Sequence, residues 1–305
     1  NLMAMAEFVL LGFPTQGTMG FLHPLLFSLV YLCALLGNGL IILNTTLDRH
    51  LHTPMYFFLR SLSFSDLCLI SATVPKSIAN SLRHSSSISF PGCVLQVFVL
   101  VMSVATEMSL PTVMSLDRYA AICHPLHYGV IMSRDRCVQL KAVSWLGGGL
   151  YAVMFTAGTF SLSNCGSKMV HEFFCDVPQL LAISCSENIM SELVPIFISV
   201  VWGICCFIFI IISYVHIFCA VRKIPSTDGK TKVYSTCLPH LLVVVLFLSN
   251  GFFDYLKPTS ETPSMSDLVI SMFYTVVPPS FNPLIYSLRN HAMKSAVGRL
   301  MKGQY

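Results

Sequence analysis

The stretch Met114–Tyr128, MSLDRYAAICHPLHY, ends a long apolar run with two adjacent opposite charges, Asp117 and Arg118. The run begins near Pro91, meets no Asp, Glu, Lys or Arg until Glu107, and then stays apolar to Leu116. About 20 residues, each rising ~1.5 Å along a helix, cross the hydrocarbon core of a bilayer. This run is long enough to cross, and the charge pair marks where the helix meets water. A solvated ion pair at a headgroup contributes only about 0–1 kcal/mol, so its placement carries the information.

The rest of the chain has the same character. Of 305 residues, 54% are hydrophobic and 10% charged, and the mean hydropathy is +0.71. Soluble domains carry about 25% charged residues, so a soluble fold is excluded. Seven charge-poor windows have spanning length: 22–46, 55–80, 93–122, 137–160, 193–221, 233–253 and 267–288. In lipid each segment has to satisfy its own backbone groups, which makes each a helix. The expected fold is an all-α membrane protein, a seven-transmembrane helix bundle followed by a short amphipathic C-terminal helix.

Lysines and arginines set the orientation, because they concentrate on the cytoplasmic side. With the N-terminus outside, the cytoplasmic side receives Arg49, Arg60, Arg118, Arg134, Arg136, Lys141, Arg222, Lys223, Lys230, Lys232, Arg289, Lys294, Arg299 and Lys302. Only Lys76, Arg83, Lys168 and Lys257 remain outside. The net charge of +4 is therefore an orientation signal and not a nucleic-acid footprint. The chain divides into an extracellular tail (1–21), a seven-transmembrane domain (22–288) and a cytoplasmic amphipathic helix and tail (289–305) on the inner leaflet. The first apolar stretch has no basic flank before it and is long enough to span, so it reads as a span and not as a cleaved leader. These features place the protein in a membrane, among its lipids.

Five motifs in order carry a family resemblance. In chain order LHTPMYFFLRSLSFSDLC (Leu51–Cys68) leads into the second span, and DRY followed by AICHPLHY closes the third. Ser213-Tyr214 closes the fifth span, KVYSTCLPHLLVVVLF (Lys232–Phe247) opens the sixth, and SMFYTVVPPSFNPLIYSLRN (Ser271–Asn290) forms the seventh. Together they resemble the rhodopsin-like G-protein-coupled receptors, and within them the olfactory (odorant) receptors. Departures are small: Ser115 and Leu116 precede DRY, Pro239 stands where the family usually has Ser, and Leu248 replaces a Tyr that commonly senses ligand. Asn1-Leu2-Met3 does not form the glycosylation sequon usual in the tail.

The resemblance implies a function and a set of residues. It implies an odorant receptor that binds a small, mostly apolar volatile molecule in an outer pocket. A heterotrimeric G protein of the stimulatory, olfactory class would then raise cyclic AMP. By position along the spans the pocket uses Leu100, Val101, Val104 and Ala105 from the third and Ile198 and Trp202 from the fifth. Leu248, Gly251, Phe252 and Tyr255 follow from the sixth, sharing a helix face by their i, i+3, i+4, i+7 spacing, with Met272 and Thr275 from the seventh. Leu100 stands where amine receptors carry an Asp, and no Lys lies between Lys257 and Lys294 to hold retinal. A wall of this kind suits a neutral ligand, and at ~0.8 kcal/mol per buried CH₂ it predicts micromolar binding.

The activation switch implied by the family comprises Asp117, Arg118, Tyr119, Tyr214, His240, Asn282, Pro283 and Tyr286. At rest Asp117 and, from the sixth span, His240 are expected to hold Arg118. Activation is expected to free Arg118 toward Tyr214 and the G protein as Asn282 and Tyr286 repack. Asn38 is expected to join the first, second and seventh helices.

Asp66 and Glu107 lie deep within spans, where a carboxylate is a functional hypothesis by default. Two neighbouring carboxylates do not both ionise without a cation. The pair is expected to share a sodium ion in the inactive state; the alternative is that one carboxyl stays protonated and hydrogen-bonded. No other cofactor is implied.

Four of twelve cysteines lie on the outer side, Cys93, Cys165, Cys175 and Cys185, and four allow three pairings. The resemblance implies Cys93–Cys175 and Cys165–Cys185. None follows Cys237, so no palmitoyl anchor on the tail is expected. Two other function classes fit the sequence less well. A secondary membrane transporter usually shows an internal repeat and broken helices, and neither is visible. An enzyme would need a nucleophile, metal or glycine-rich motif beside the two acids, and none accompanies them.

Overall fold

The computed structural model describes residues 7–13, 18–83, 85–162, 168–184, 189–256, 265–289, 293–295 and 298–299, without the side chains at 18–19, 189–193, 232, 248, 250–256, 265–267 and 287–289. In chain order the elements begin with strand β1 (Glu7–Leu10), helix α1 (Thr18–Leu47), a 3₁₀ turn (Arg49–Leu51), α2 (Pro54–Arg83) and β2 (Ser87–Ser89). There follow α3 (Phe90–Cys123), a second 3₁₀ turn (Pro125–His127), α4 (Tyr128–Ile131), α5 (Arg134–Ser161), β3 (Met169–Val170) and α6 (Val177–Ala182). The chain continues with α7 (Ile189–Arg222), α8 (Thr227–Leu256) and α9 (Met265–Arg289). Each of the seven apolar windows falls inside one of the long helices α1, α2, α3, α5, α7, α8 and α9.

Among the described residues, five helices are long and apolar enough to cross a membrane: Gly20–Leu47, Pro54–Arg83, Phe90–Cys123, Val194–Arg222 and Leu268–Tyr286. The chain is thus an all-α protein with several membrane-crossing helices. Large apolar side chains such as Leu25, Leu36, Leu150 and Phe197 are exposed along the outside of the bundle, as lipid contact requires.

Prolines and glycines set how these helices meet. Pro283 has no N–H to return to the Pro279 carbonyl one turn earlier in α9. Asn38 of α1 fills that vacancy, its Nδ2 donating to Pro279 O at 2.8 Å and to Ala34 O at 3.1 Å. Gly37 makes the approach possible, since a Cβ there would lie 2.8 Å from Pro283 Cβ. In the Gly147-Gly148-Gly149 run only Gly148 faces a neighbour. A Cβ on it would meet Thr106 Oγ1 at 2.8 Å, whereas Gly147 and Gly149 face open space.

Residues 1–21 were expected as a tail, yet within them Glu7–Leu10 form the middle strand of a small sheet ordered β2-β1-β3, and α1 starts at Thr18. β1 runs antiparallel to β2 and parallel to β3. Strand alternation turns Phe8 and Leu10 inward, where they are buried, while Glu7 is exposed. Phe13, just after the strand, stacks on His23 and meets Phe27 and Phe173 edge-on or tilted. This sheet caps one end of the bundle, and the Asp117–Arg118 pair lies at the other.

Candidate functional site

The capped end is organised by the segment His171–Asp176. Cys175 is disulfide-bonded to Cys93 near the start of α3, with 5.6 Å between their Cα atoms, as the resemblance implied. Cys165 and Cys185 lie outside the described residues. Gln96, one turn beyond Cys93, clamps this join: its Oε1 accepts from the Cys175 N–H at 2.7 Å and its Nε2 donates to the Ala72 carbonyl of α2 at 2.6 Å. Two acids of the same segment reach α9. Ser271 Oγ donates to Glu172 Oε1 at 2.8 Å, and Tyr274 donates its hydroxyl to Asp176 Oδ1 at 3.0 Å.

Below this segment Leu100, Val101, Leu268 and Val276 form one buried apolar cluster with Phe173 and Phe174, and Val104 and Met272 pack against it. Thr275 is fully buried, its hydroxyl turned to the Ser271 carbonyl at 2.8 Å. Ala105 is half-buried on α3. Four of the pocket residues inferred from position, Leu100, Val101, Val104 and Met272, thus sit together on α3 and α9. Ile198 and Trp202 do not join them, being 38% and 53% exposed on the outer face of α7. The inward stripe of α7 runs through Pro195, Ser199, Gly203, Cys206 and Ile210, about one residue, or 100°, from the expected positions. Ser199 marks that face, because its hydroxyl bonds Tyr151 of α5 and the Pro195 carbonyl. The side chains of Leu248, Gly251, Phe252 and Tyr255 lie outside the described residues.

In the middle of the bundle Asp66 is fully buried, and Asn282 of α9 donates one N–H group toward both its oxygens at 3.0 and 3.1 Å. Glu107 lies beside it. Its carboxyl interacts with the side chains of Asp66 and Ser65, although among the described residues neither Glu107 oxygen, nor the buried Ser103 Oγ and Tyr286 hydroxyl, meets the full geometry of a hydrogen bond.

At the opposite end Arg118 is held by Asp117, with Nε donating to Oδ2 at 3.1 Å and Nη2 donating to the same oxygen. The other Asp117 oxygen accepts from the Tyr128 hydroxyl at 2.7 Å. Burial and the adjacent carboxylate push the Tyr128 phenol above its ordinary pKa, so it remains a donor. Asp117 is fully buried and Arg118 nearly so. His240 does not take up Arg118 as expected. Its Nε2 faces the Pro111 carbonyl at 3.0 Å and its Nδ1 the Tyr214 hydroxyl at 2.6 Å. A carbonyl only accepts, so Nε2 carries the proton and Nδ1 accepts from Tyr214. The neutral imidazole ties α8 to α3 and α7. Tyr119 turns its hydroxyl to His124 Nε2 at 3.0 Å and its ring to His216. Near this end Arg299 donates to Asp48 Oδ2, with Nε at 3.1 Å, which holds the Asp48 carboxyl below the usual carboxylate range.

A charge-paired arginine at the end of α3, an Asn–Asp link between α9 and α2 and a disulfide from the loop to α3 form a receptor-like constellation, and the sequence comparisons name it. A family model described as olfactory receptor matches residues 27–304. The chain belongs to the olfactory receptor family. It is similar to human olfactory receptor 14A16, 67% identical over 304 residues covering 100% of this chain and 98% of that protein. Human olfactory receptor 14K1 is 51% identical over 301 residues, 99% of this chain and 96% of the other. A receptor from gorilla, olfactory receptor 1G1, is 44% identical over 301 residues, again 99% and 96%. Olfactory receptors are membrane-embedded G-protein-coupled receptors, not enzymes.

Four groups of this receptor escaped the reading of the sequence: Gln96, Tyr128, Glu172 and Ser271. Gln96 had a signal, a lone amide in an apolar span three residues after a cysteine. Glu172 and Ser271 depend on a contact between segments far apart in the chain, and Tyr128 on the chain reversal that returns it to Asp117 eleven residues earlier.

Proposed function

We propose that this olfactory receptor crosses the plasma membrane seven times with its N-terminus outside and a short amphipathic helix after α9 on the inner leaflet. It binds a small, mostly apolar volatile molecule near the capped end and activates a stimulatory, olfactory-type G protein that raises cyclic AMP. The observation that carries this reading is the Asp117–Arg118–Tyr128 cluster. A guanidinium nearly removed from water on one carboxylate, at the boundary of a span, is a group held in reserve. Movement of α8 away from α3 breaks the His240–Pro111 contact and opens the surface beside Arg118. Agonist acts by binding the open arrangement better than the closed one.

The ligand wall inferred here is Leu100, Val101, Val104, Ala105, Met272 and Thr275, roofed by Phe174. It offers apolar contact and few hydroxyls, which favours neutral ligands over charged ones. The partner list is an odorant, a G protein and lipid.

Asp66 and Glu107 also fit a sodium ion. Glu107's two oxygens and Ser103 Oγ are buried acceptors that meet the full geometry of a hydrogen bond with none of the described residues, and Asp66 adds a carboxylate held by Asn282. Hard oxygen donors with excess negative charge suit such a cation. It would neutralise the pair and favour the closed arrangement.

The test is an odorant panel read by cyclic AMP in cells expressing the receptor. Arg118→Ala is expected to abolish the response with surface expression retained; an intact response refutes the assignment. Exchanging external sodium for a large organic cation is expected to raise basal output in the wild type and not in Glu107→Gln. Equal behaviour of the two removes the ion.

A further inference from the structure

Two cations on neighbouring helices share one aromatic ring near the uncapped end. The Arg60 guanidinium of α2 lies 5.6 Å from the Phe57 ring centroid, and Lys141 Nζ of α5 lies 5.0 Å from the same centroid. Both side chains are half-buried, and both lie inside the apolar windows where charge is costly. Among the described residues neither forms an ion pair. The hydrogen bond described for Arg60 is to the Thr46 hydroxyl, at 3.3 Å. Like charges gathered without a described carboxylate leave a local positive field of the kind that attracts lipid phosphates.

The surface beneath them continues the pattern. One turn deeper on each helix, Phe64 and Trp145 bring their rings within 5.6 Å. Phe64 is exposed to the lipid side. A cationic rim over an aromatic floor matches a molecule with an anionic head and an apolar body.

We propose that Arg60 and Lys141 form a headgroup site for an anionic phospholipid, whose acyl chain runs down the Phe64–Trp145 face. The choice between a lipid and a soluble phosphate follows from this arrangement: a free anion gains nothing from an apolar floor, whereas a lipid gains from both parts. The leaflet, though not the site, rests on the topology proposed above.

The full-length purified receptor in phosphatidylcholine nanodiscs doped with phosphatidylserine tests this, with retained lipid counted by native mass spectrometry. Removing either cation of the site is expected to weaken anionic-lipid binding about fivefold. Arg60→Gln with Lys141→Gln together should therefore lose about thirtyfold, while Lys230→Gln, at a cation on another helix, keeps wild-type retention. The charge-preserving Arg60→Lys and Lys141→Arg should retain the lipid, which separates loss of charge from loss of fold. Soluble glycerophosphoserine is expected to compete poorly. Equal phosphatidylserine retention by wild type and double variant overturns the proposal, and full displacement by the soluble headgroup overturns its lipid assignment. Nanodiscs are symmetric and the measurement uses neither odorant nor G protein, so failure here leaves the signalling reading untouched, and the reverse also holds.

Discussion

Truncating Asn38 to Ala should expose how much the α1–α9 junction depends on one amide. The carbonyl of Pro279 has no donor within its own helix, because position 283 is a proline, and Asn38 Nδ2 supplies the donor at 2.8 Å. Interhelical hydrogen bonds in membranes average about 0.6 kcal/mol, because a released group commonly finds another partner. A buried carbonyl left without one costs about 1–3 kcal/mol. The Pro283 ring blocks the intrahelical alternative, so the larger figure governs and Asn38→Ala is expected to cost about 1.5 kcal/mol. At roughly 2–4 °C per kcal/mol for chains somewhat shorter than this one, thermal unfolding of the purified receptor should fall by about 3–6 °C. The reasoning is tested by a cycle with Pro283→Ala, which restores the missing N–H and keeps the Cβ that Gly37 meets. In that background Asn38→Ala should cost about 0.5 kcal/mol, leaving a coupling of about 1 kcal/mol. If it costs the same with and without Pro283, the proline vacancy is not what Asn38 fills.

Other perturbations follow from the same geometry. Gln96→Leu deletes the bonds to the Ala72 carbonyl and the Cys175 N–H and strands the buried Cys175 N–H, at about 1–3 kcal/mol. Surface expression should fall nearly as far as in Cys175→Ser, and wild-type levels would contradict the clamp. His240→Phe keeps the ring but removes both contacts that tie α8 to α3 and α7, about 2 kcal/mol in favour of the open arrangement. Agonist-free cyclic AMP output should rise strongly, since each 1.4 kcal/mol is about tenfold in population; unchanged output would show that the imidazole does not hold α8. Gly148→Ala drives a Cβ to 2.8 Å from Thr106 Oγ1 and should lose about 1–3 kcal/mol of stability. Gly147→Ala, facing open space, should be neutral in the same thermal assay.

The helices were legible because lipid imposes a strict rule on both length and polarity. The window 137–160 became Arg134–Ser161 and the window 93–122 became Phe90–Cys123, each extending a few residues past the apolar stretch since helices do not end where hydrocarbon does. Which way a side chain faces was harder to read. Leu100 and Val101 are buried beside the segment His171–Asp176, but Ile198 and Trp202 are turned about 100° off the inward stripe of α7. In a helix surrounded by lipid, apolar residues occupy every face, so hydrophobicity carries no direction. Polar residues did carry direction. Asn38, Asp66 and Asn282 each found partners across the bundle, because an amide or acid in hydrocarbon has few other places to go. The choice of partner stayed hidden where it depended on a vacancy or a neutral ring. His240 prefers the Pro111 carbonyl and Tyr214 over a guanidinium that Asp117 already holds. No local pattern announced the sheet, since β1 has only four residues and its neighbours come from distant connections.

That small sheet has a consequence for biosynthesis. Its centre strand leaves the ribosome first, yet the parallel neighbour Met169–Val170 is not made until α1, α2, α3 and α5 have been translated. For that interval Phe8 and Leu10, buried in the finished fold, have no completed sheet to join and need cover of another kind. A strand translated before every helix of the bundle is thereby among the last parts of the fold to settle.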